Sequence, residues 1–294
     1  MFIVERVWLY KKLYYWYNNL SKRLRDSLLI SLSTMGVVST ILSIIGFSLA
    51  DLKSLNIFGR VIIVIALFLG ICLIAYLTIG KIFKESVCFE IRNTPVSIMS
   101  GDIFDTPGLR VIGCDTHFDT RVDDVIISKN SLHGQLVLEH GDKDEIDALV
   151  AEEASRRKIH KNKDGLYNFP IGTIIKYNSS VDQNTYLLLA VAELDSQRKA
   201  RTDMANFEHM LIKMWKEIDR VYSLNDVVLP ILGTGILRFD DGPKHNEDLL
   251  RCMICTRNSS AVTLKAKVKI LIYGNGNDYS LYEYKGIFHT VLRR

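Results

Sequence analysis

The chain is empty of charge in two places. No Asp, Glu, Lys or Arg occurs from Ser27 to Ala50, nor from Val61 to Gly80. Over all 294 positions the composition is nevertheless ordinary, with 24% charged and 48% hydrophobic residues. A helix needs about 20 mostly apolar residues to cross the ~30 Å hydrocarbon core of a bilayer, and each run meets that length. An ionised side chain at the bilayer centre costs about 2.5–3.5 kcal/mol on insertion scales, a cost both runs avoid. Two such runs, separated only by Asp51–Arg60, speak against a buried core helix and predict a transmembrane hairpin. No short apolar segment with a small-residue cleavage site precedes the first run, so the expectation is an anchor and not a cleaved signal peptide.

Cysteine is scarce as well. Cys72 sits inside the second run, and Cys88, Cys114, Cys252 and Cys255 follow it without a disulfide pattern. That usage suits a reducing compartment. The basic excess is small, a net +4 concentrated near the two runs, which argues against a nucleic-acid partner. Internal repeats and low-complexity linkers are missing. Arg6, Lys11, Lys12, Lys22, Arg23 and Arg25 precede the first run and Lys81 and Lys84 follow the second, against only Lys53 and Arg60 between them. Basic flanks stay on the cytoplasmic side, so both termini are expected in the cytoplasm and the protein in the cell membrane.

Three segments follow: 1–26 as an N-terminal stretch, 27–80 as the hairpin (27–50 and 61–80), and 81–294 as a cytosolic domain. Trp8, Tyr10, Tyr14, Tyr15, Trp16 and Tyr17 interleave with Lys11 and Lys12, which suits an interfacial helix or an extended start of the first span. In the first span Ser33, Gly36, Ser39, Thr40, Ser43 and Gly46 fall on one stripe at helical spacing. Small residues let helices approach closely in lipid, so the stripe packs on the second span or also joins copies of the chain. Past Lys81, apolar runs read as strands at Val87–Ile91, Val96–Met99, Leu109–Cys114, Ile171–Tyr177, Tyr186–Ala192, Val227–Leu232 and Val268–Tyr273. Helical patterns fall at Lys143–Lys158, Asp203–Tyr222 and Asn246–Arg257. Near-continuous apolar strands between helices predict an α/β fold, a mixed sheet sandwiched by helices.

Three loops carry candidate chemistry. Gly101-Asp102-Ile103 follows the second strand, where a carboxylate can accept from an exocyclic amine. Pro230-Ile231-Leu232-Gly233-Thr234-Gly235-Ile236 ends a strand in a glycine-bearing loop that a helix is expected to follow, an arrangement that offers freed backbone N–H groups to an anion. Ser131-Leu132-His133-Gly134-Gln135 supplies a second glycine loop, with His133 either on a phosphate or capping a turn.

These landmarks resemble a macro domain, the ADP-ribose-binding fold. With Gly113-Cys114-Asp115-Thr116-His117-Phe118 and the hairpin ahead of them, they look more closely like the membrane-anchored effectors of Thoeris antiphage defence, the kind that joins a transmembrane segment to a macro domain. The resemblance implies that a TIR-domain partner makes an ADP-ribose derivative carrying imidazole or histidine. The macro domain binds that messenger, and the effector then forms a homo-oligomer that compromises the bilayer. It implies adenine recognition by Asp102 beside Gly101 and Ile103, and a diphosphate cradle of Leu232, Gly233, Thr234, Gly235 and Ile236 opposite His133, Gly134 and Gln135. Cys114, Asp115, Thr116, His117 and Phe118 would approach the distal ribose, with Asp115 pairing an imidazolium. No cofactor or metal is implied.

The chain departs from hydrolytic macro domains, whose Asn-Ala-Ala-Asn stretch is replaced by Cys114-Asp115-Thr116-His117. Catalysis is therefore not expected. A membrane-tethered ADP-ribosyl hydrolase using His117 with Asp115, or an adaptor for ADP-ribosylated proteins, are the alternatives. Cys252-x-x-Cys255 lies in a helical pattern and reads as core. Asp240-Asp241 before Gly242-Pro243 reads as a solvated turn, and Asn275-Gly276-Asn277-Asp278 as another, with Tyr273 or Tyr279 near an adenine pocket.

Overall fold

The computed structural model describes residues 22–46, 56–82, 86–195, 199–235, 237–273 and 281. The expectations for residues 1–21, the basic residue Lys53, the turn at 275–278, Tyr279 and Ile236 lie outside the described residues. The chain divides into two compact units, a helical pair and an α/β body beginning at Ser86.

In the first unit α1 spans Lys22–Ile44 and α2 spans Ile57–Ile82. At a rise of about 1.5 Å per residue, the 22 and 25 residues of their apolar cores each exceed the ~30 Å hydrocarbon thickness. Leu32, Val37, Ile44, Phe58, Ile62 and Ile74 expose their side chains, unlike the residues of a soluble core helix. Both helices are therefore long and apolar enough to cross a bilayer. The α1 hydroxyls bond within the helix: Ser31 Oγ donates to the Ser27 carbonyl at 2.7 Å and Thr40 Oγ1 to that of Gly36 at 2.9 Å, which removes unsatisfied donors from an apolar setting.

The helices are antiparallel and locked at one end by an arginine. Arg23 Nε donates to the Tyr76 carbonyl at 2.8 Å, and its guanidinium lies 3.7 Å from the centroid of the Tyr76 ring. Any side chain at Gly80 would collide with that group, since an added Cβ falls 1.8 Å from Arg23 Nη2. Ser27 and Ser31 are the fully buried positions of α1, whereas Ser33, Gly36, Ser39, Thr40, Ser43 and Gly46 are exposed. The small-residue stripe thus faces away from α2.

The second unit is built on a nine-stranded sheet among the described residues: β1 (Ser86–Ile91), β2 (Thr94–Ser100), β3 (Leu109–Asp115), β4 (Ile174–Asn178), β5 (Thr185–Leu194), β6 (Ala200–Thr202), β7 (Val227–Pro230), β8 (Arg238–Phe239) and β9 (Val268–Ile272). Its order is β1-β2-β9-β7-β3-β5-β6-β8, with β4 beside β5. The five inner strands β2, β9, β7, β3 and β5 run parallel, while β1 is antiparallel at the edge and β4 and β6 are antiparallel to β5. Parallel pairing buries both faces of a sheet, hence the unbroken apolar runs that marked these strands in the sequence.

Alternation along β5 shows the two cores. Tyr186, Leu188 and Ala190 pack in one cluster with Ile146, Val150 and Ala154 of α4 (Lys143–Arg156). Leu187 and Leu189, also buried, point to the opposite face by the period-2 rule. The helices start where their caps dictate. Asp142 accepts from the Asp144 and Glu145 N–H groups at the head of α4, and Asp203 from Asn206 at the head of α5 (Met204–Val221). Along α5, Phe207, Met210, Leu211, Met214, Trp215 and Ile218 form a buried stripe. A short helix α3 (Leu132–Gln135) passes directly into a π-helical turn, Leu136–His140.

Three sequence expectations need correction. β4 begins at Ile174 and not Ile171, because Gly172 turns with φ +86. β7 stops at Pro230, two residues short of Leu232. No helix follows the Pro230–Ile236 loop directly: β8 pairs with β6, the chain turns at Gly242, and α6 (Asn246–Ser259) starts only after Pro243, with His245 as its cap.

Candidate ligand site

The inner parallel strands all end on one side of the sheet, and a cavity of about 490 Å³ opens beyond those ends. Crevices at the carboxyl ends of parallel strands are where α/β sheets take ligands, and the volume falls in the usual range of ~300–1,000 Å³. Each wall comes from a different element. β3 contributes Gly113, Cys114 and Asp115; α3 and the loop before it contribute Ser131, His133 and Gln135; the loop after β7 contributes Leu232, Gly233, Thr234 and Gly235.

A bulge shapes the β3 wall. Pairing with β5 slips between Cys114 and Asp115, so that Cys114 faces Ala190 but Asp115 faces Ala192, leaving Val191 extra. Bulges re-aim side chains, and here both Val191 and Asp115 line the cavity. Gly113 makes the room, since an added Cβ would approach Val191 Cγ2 to 3.0 Å. The Cys114 thiol is buried and its pKa is pushed up by that burial.

The α3 wall depends on a close backbone approach. Ser131 caps the helix by accepting from the Gly134 N–H at 3.0 Å, and a Cβ on Gly134 would lie 2.2 Å from the Ser128 carbonyl oxygen. Gly134 itself packs on that backbone, while its neighbours His133 and Gln135 face the cavity. In the β7 loop, Gly233 adopts φ +87, a conformation that favours glycine. Thr234 Oγ1 donates to the Ile231 carbonyl at 2.9 Å. The N–H groups of Leu132, His133, Gly233 and Gly235 donate to no acceptor among the described residues. Two loops that carry unspent amides thus line one cavity, and such loops can hold phosphates through backbone N–H groups.

His133 is 6% exposed and its ring meets no hydrogen-bond partner among the described residues. Burial lowers its pKa, with Asp115 and Asp119 pulling the other way. Burial raises the Asp119 carboxyl, but hydrogen bonds from Arg121 outweigh it and leave its pKa below the usual carboxylate range.

The segment after Asp115 divides. Asp115 Oδ1 accepts the His117 N–H at 2.6 Å, while the His117 ring meets the Tyr167 carbonyl through Nδ1 at 2.6 Å. His117 and Phe118 line a separate cavity of about 340 Å³ with Lys143, Lys161 and Tyr167. Phe118 is buried at φ +51 with its ring edge-on to Phe169, and Thr116 is fully buried. The imidazole of His117 is therefore not paired with Asp115.

The loop after β2 stands beside the main cavity and outside its lining. The Gly101 N–H donates to the Ile272 carbonyl at 3.3 Å, so the loop abuts the end of β9, whose next residue, Tyr273, is 73% exposed and lines the cavity. Asp102 Oδ1 accepts the Phe104 N–H at 2.8 Å, and Ile103 is buried in the core. Buried Arg110 ties this loop down, donating to the carbonyls of Ile103 at 2.8 Å and Phe104 at 3.0 Å. Lining residues the sequence did not single out include Val191, Ala192 and Leu194 at the end of β5 and Ala200 on β6. The end of a central parallel strand was the available signal for the first three. On α6, Cys252 is buried and Cys255 exposed.

The chain matches the family described as Thoeris protein ThsA, macro domain, over residues 96–273, more than half its length. It is 28% identical over 241 residues to the Thoeris protein ThsA of Bacillus amyloliquefaciens (strain Y2), covering 76% of this chain and 79% of that one. Among solved structures, the Oceanobacillus iheyensis macrodomain with ADP is 12% identical, covering 70% of this chain and 96% of the other at a TM-score of 0.47. A point mutant of the same macrodomain with ADPR is 15% identical, covering 71% and 100% at a TM-score of 0.48. The chain therefore belongs to the Thoeris ThsA macro-domain family.

Proposed function

We propose that this protein is a membrane-anchored defence effector, held by α1 and α2 with both termini in the cytoplasm, whose macro domain binds an ADP-ribose derivative. The observation that carries the reading is the main cavity, where unspent amides of the α3 and β7 loops converge at the ends of the parallel strands. A diphosphate fits those amides, and Tyr273 at the rim offers an aromatic face to a purine. Asp102 lies at the neighbouring strand end, in reach of the role of adenine acceptor. The match to the ThsA macro-domain family supports the same ligand class. Asp115 is the cavity carboxylate that a distal imidazolium would meet.

In this reading a TIR-domain protein supplies the messenger from NAD, and the macro domain binds it without turnover. Binding favours an assembly in which hairpins associate through the exposed small-residue stripe of α1, and the bilayer is breached. A ligand shifts such an equilibrium only by its differential affinity, and a change from 1:99 to 99:1 needs about 5.5 kcal/mol. Repetition of the interface over many subunits distributes that demand.

The full chain in dye-loaded phospholipid vesicles tests the proposal. Addition of an imidazole adduct of ADP-ribose is expected to release dye, and vesicles carrying Gly36→Leu with Ser39→Leu are expected to release several-fold less. Ligand-independent leakage, or none with bound ligand, overturns the effector reading.

A further inference from the structure

The main cavity is unusual for a site that receives a diphosphate, because among the described residues no Lys or Arg lines it. Its ionisable lining consists of Asp115, Cys114, Tyr273 and His133. Asp115 is a carboxylate, and the Cys114 thiol is buried and raised in pKa, so neither supplies positive charge. The Tyr273 phenol is neutral when protonated and anionic when not. One side chain in the wall is able to become a cation, and it is His133. The residue is 6% exposed, its ring borders the cavity, and it meets no hydrogen-bond partner among the described residues.

The surroundings of that ring are set by several elements. From β3 comes Asp115; from the loop beyond it comes Asp119, whose carboxylate is already engaged by Arg121 Nε at 2.9 Å. The α3 neighbours Ser131 and Gln135 and the β7 loop residues Leu232–Gly235 carry no ionisable group, nor do the lining residues Val191, Ala192 and Leu194 of β5. In the empty protein, burial favours the neutral imidazole. A diphosphate held by the opposing amides brings two negative charges beside Asp115 and the ring, and a nearby anion favours the protonated form.

We infer that His133 takes up a proton as an anionic diphosphate ligand fills the cavity, making it a specificity-determining group that gives the described lining a positive charge only when occupied. The inference rests on the diphosphate reading of the site and adds to it a proton that travels with the ligand. The sign follows from linkage. The bound state holds more protons than the free state between the two pKa values of His133, so affinity rises as pH falls through that window. It does so by at most about tenfold per pH unit, the limit for one proton. Below the free-state pKa both forms are protonated, and affinity levels off.

Calorimetry of the full chain in detergent micelles tests this with ADP-ribose as the probe, at pH 7 in HEPES and in Tris, which differ in ionisation enthalpy. The heat of binding is expected to differ between buffers by a fraction of one proton taken up, and affinity to weaken as pH is raised from 6 to 8. His133→Gln keeps a polar side chain of similar length without titration in this range. It is expected to bind with equal heats in the two buffers and with an affinity independent of pH. Equal heats for the unsubstituted chain overturn the proton uptake and leave the ligand reading in place. An unchanged buffer difference in His133→Gln overturns the assignment to His133. Absence of any binding heat overturns the ligand reading and the proton uptake together. The buffer comparison is made on the unsubstituted chain and stands whether or not the variant folds.

Discussion

Gly134→Val is expected to weaken nucleotide binding severely while most of the sheet stays folded. The added Cβ would lie 2.2 Å from the Ser128 carbonyl oxygen, 3.0 Å from its carbon and 3.1 Å from Lys129 Cα. All three are backbone atoms, so no side-chain rotation relieves the clash. Displacing Ser128 disturbs the bonds its carbonyl accepts, from the Ser131 N–H at 3.0 Å and Ser131 Oγ at 2.7 Å. It also frees the cap that Ser131 gives to Gly134 at 3.0 Å. Overpacking costs about 1–3 kcal/mol, and each lost hydrogen bond about 0.5–1.5 kcal/mol. A movement costing about 2–4 kcal/mol in the bound geometry weakens binding roughly 30- to 1,000-fold, at about 1.4 kcal/mol per tenfold. Gly134→Ala places the same Cβ and shares the sign. Calorimetry with ADP-ribose, beside a far-ultraviolet circular dichroism spectrum showing retained structure, checks it. Binding within threefold of the unsubstituted chain would show that the loop tolerates the atom.

Arg257→Ala is expected to give the largest loss of stability. The side chain is 1% exposed, donating from Nη1 to the Val262 carbonyl at 2.6 Å and from Nη2 to Thr94 Oγ1 at 2.6 Å. Thr94 Oγ1 in turn bonds the carbonyl and N–H of Leu264, each at 2.9 Å. One guanidinium therefore ties α6 to the start of β2 and to the segment leading into β9, with the Trp215 ring 5.7 Å away. Burial lowers its pKa to about 10, which leaves it charged at neutral pH. Removing the side chain leaves a void and an unsatisfied carbonyl. Losses of this kind cost about 3–5 kcal/mol, against a total domain stability of about 5–15 kcal/mol. At roughly 2–4 °C per kcal/mol for a domain of this size, the thermal midpoint should fall by about 6–20 °C. Arg257→Met, which keeps the volume and drops the charge, should recover part of that loss. A midpoint within 2 °C of the unsubstituted value in Arg257→Ala would contradict this role.

Much of the architecture was legible because its signals are local. Charge-free length marked both apolar helices, and unbroken apolar runs marked the five parallel strands, since a strand buried on both faces has no polar side to alternate with. Asp142 and Asp203 cap the helices whose apolar pattern was read from Lys143 and Asp203. β6 and β8 stayed hidden because three residues and two residues show no period. The helix expected after Gly235 was delayed to Asn246, as pairing of β8 with β6 and the turn before Pro243 outweigh the local tendency.

The candidate site was legible in part. Asp115, His133, Gln135 and the loop Leu232–Gly235 do meet across one cavity. The split between Asp115 and His117 was not visible, because it depends on a bulge opposite Val191 and on the Tyr167 carbonyl, fifty positions away in sequence. The stripe of small residues on α1 was legible as a pattern. Which way it faces was not, since that is decided by Arg23 gripping the Tyr76 carbonyl.

Ligand binding itself is the most direct measurement. The full chain in detergent micelles, titrated by calorimetry with ADP-ribose and with its imidazole adduct, is expected to bind both, the adduct more tightly, and to lose that preference in Asp115→Ala. Absence of heat with either nucleotide from a folded protein would contradict the assignment of the cavity to an ADP-ribose-type messenger.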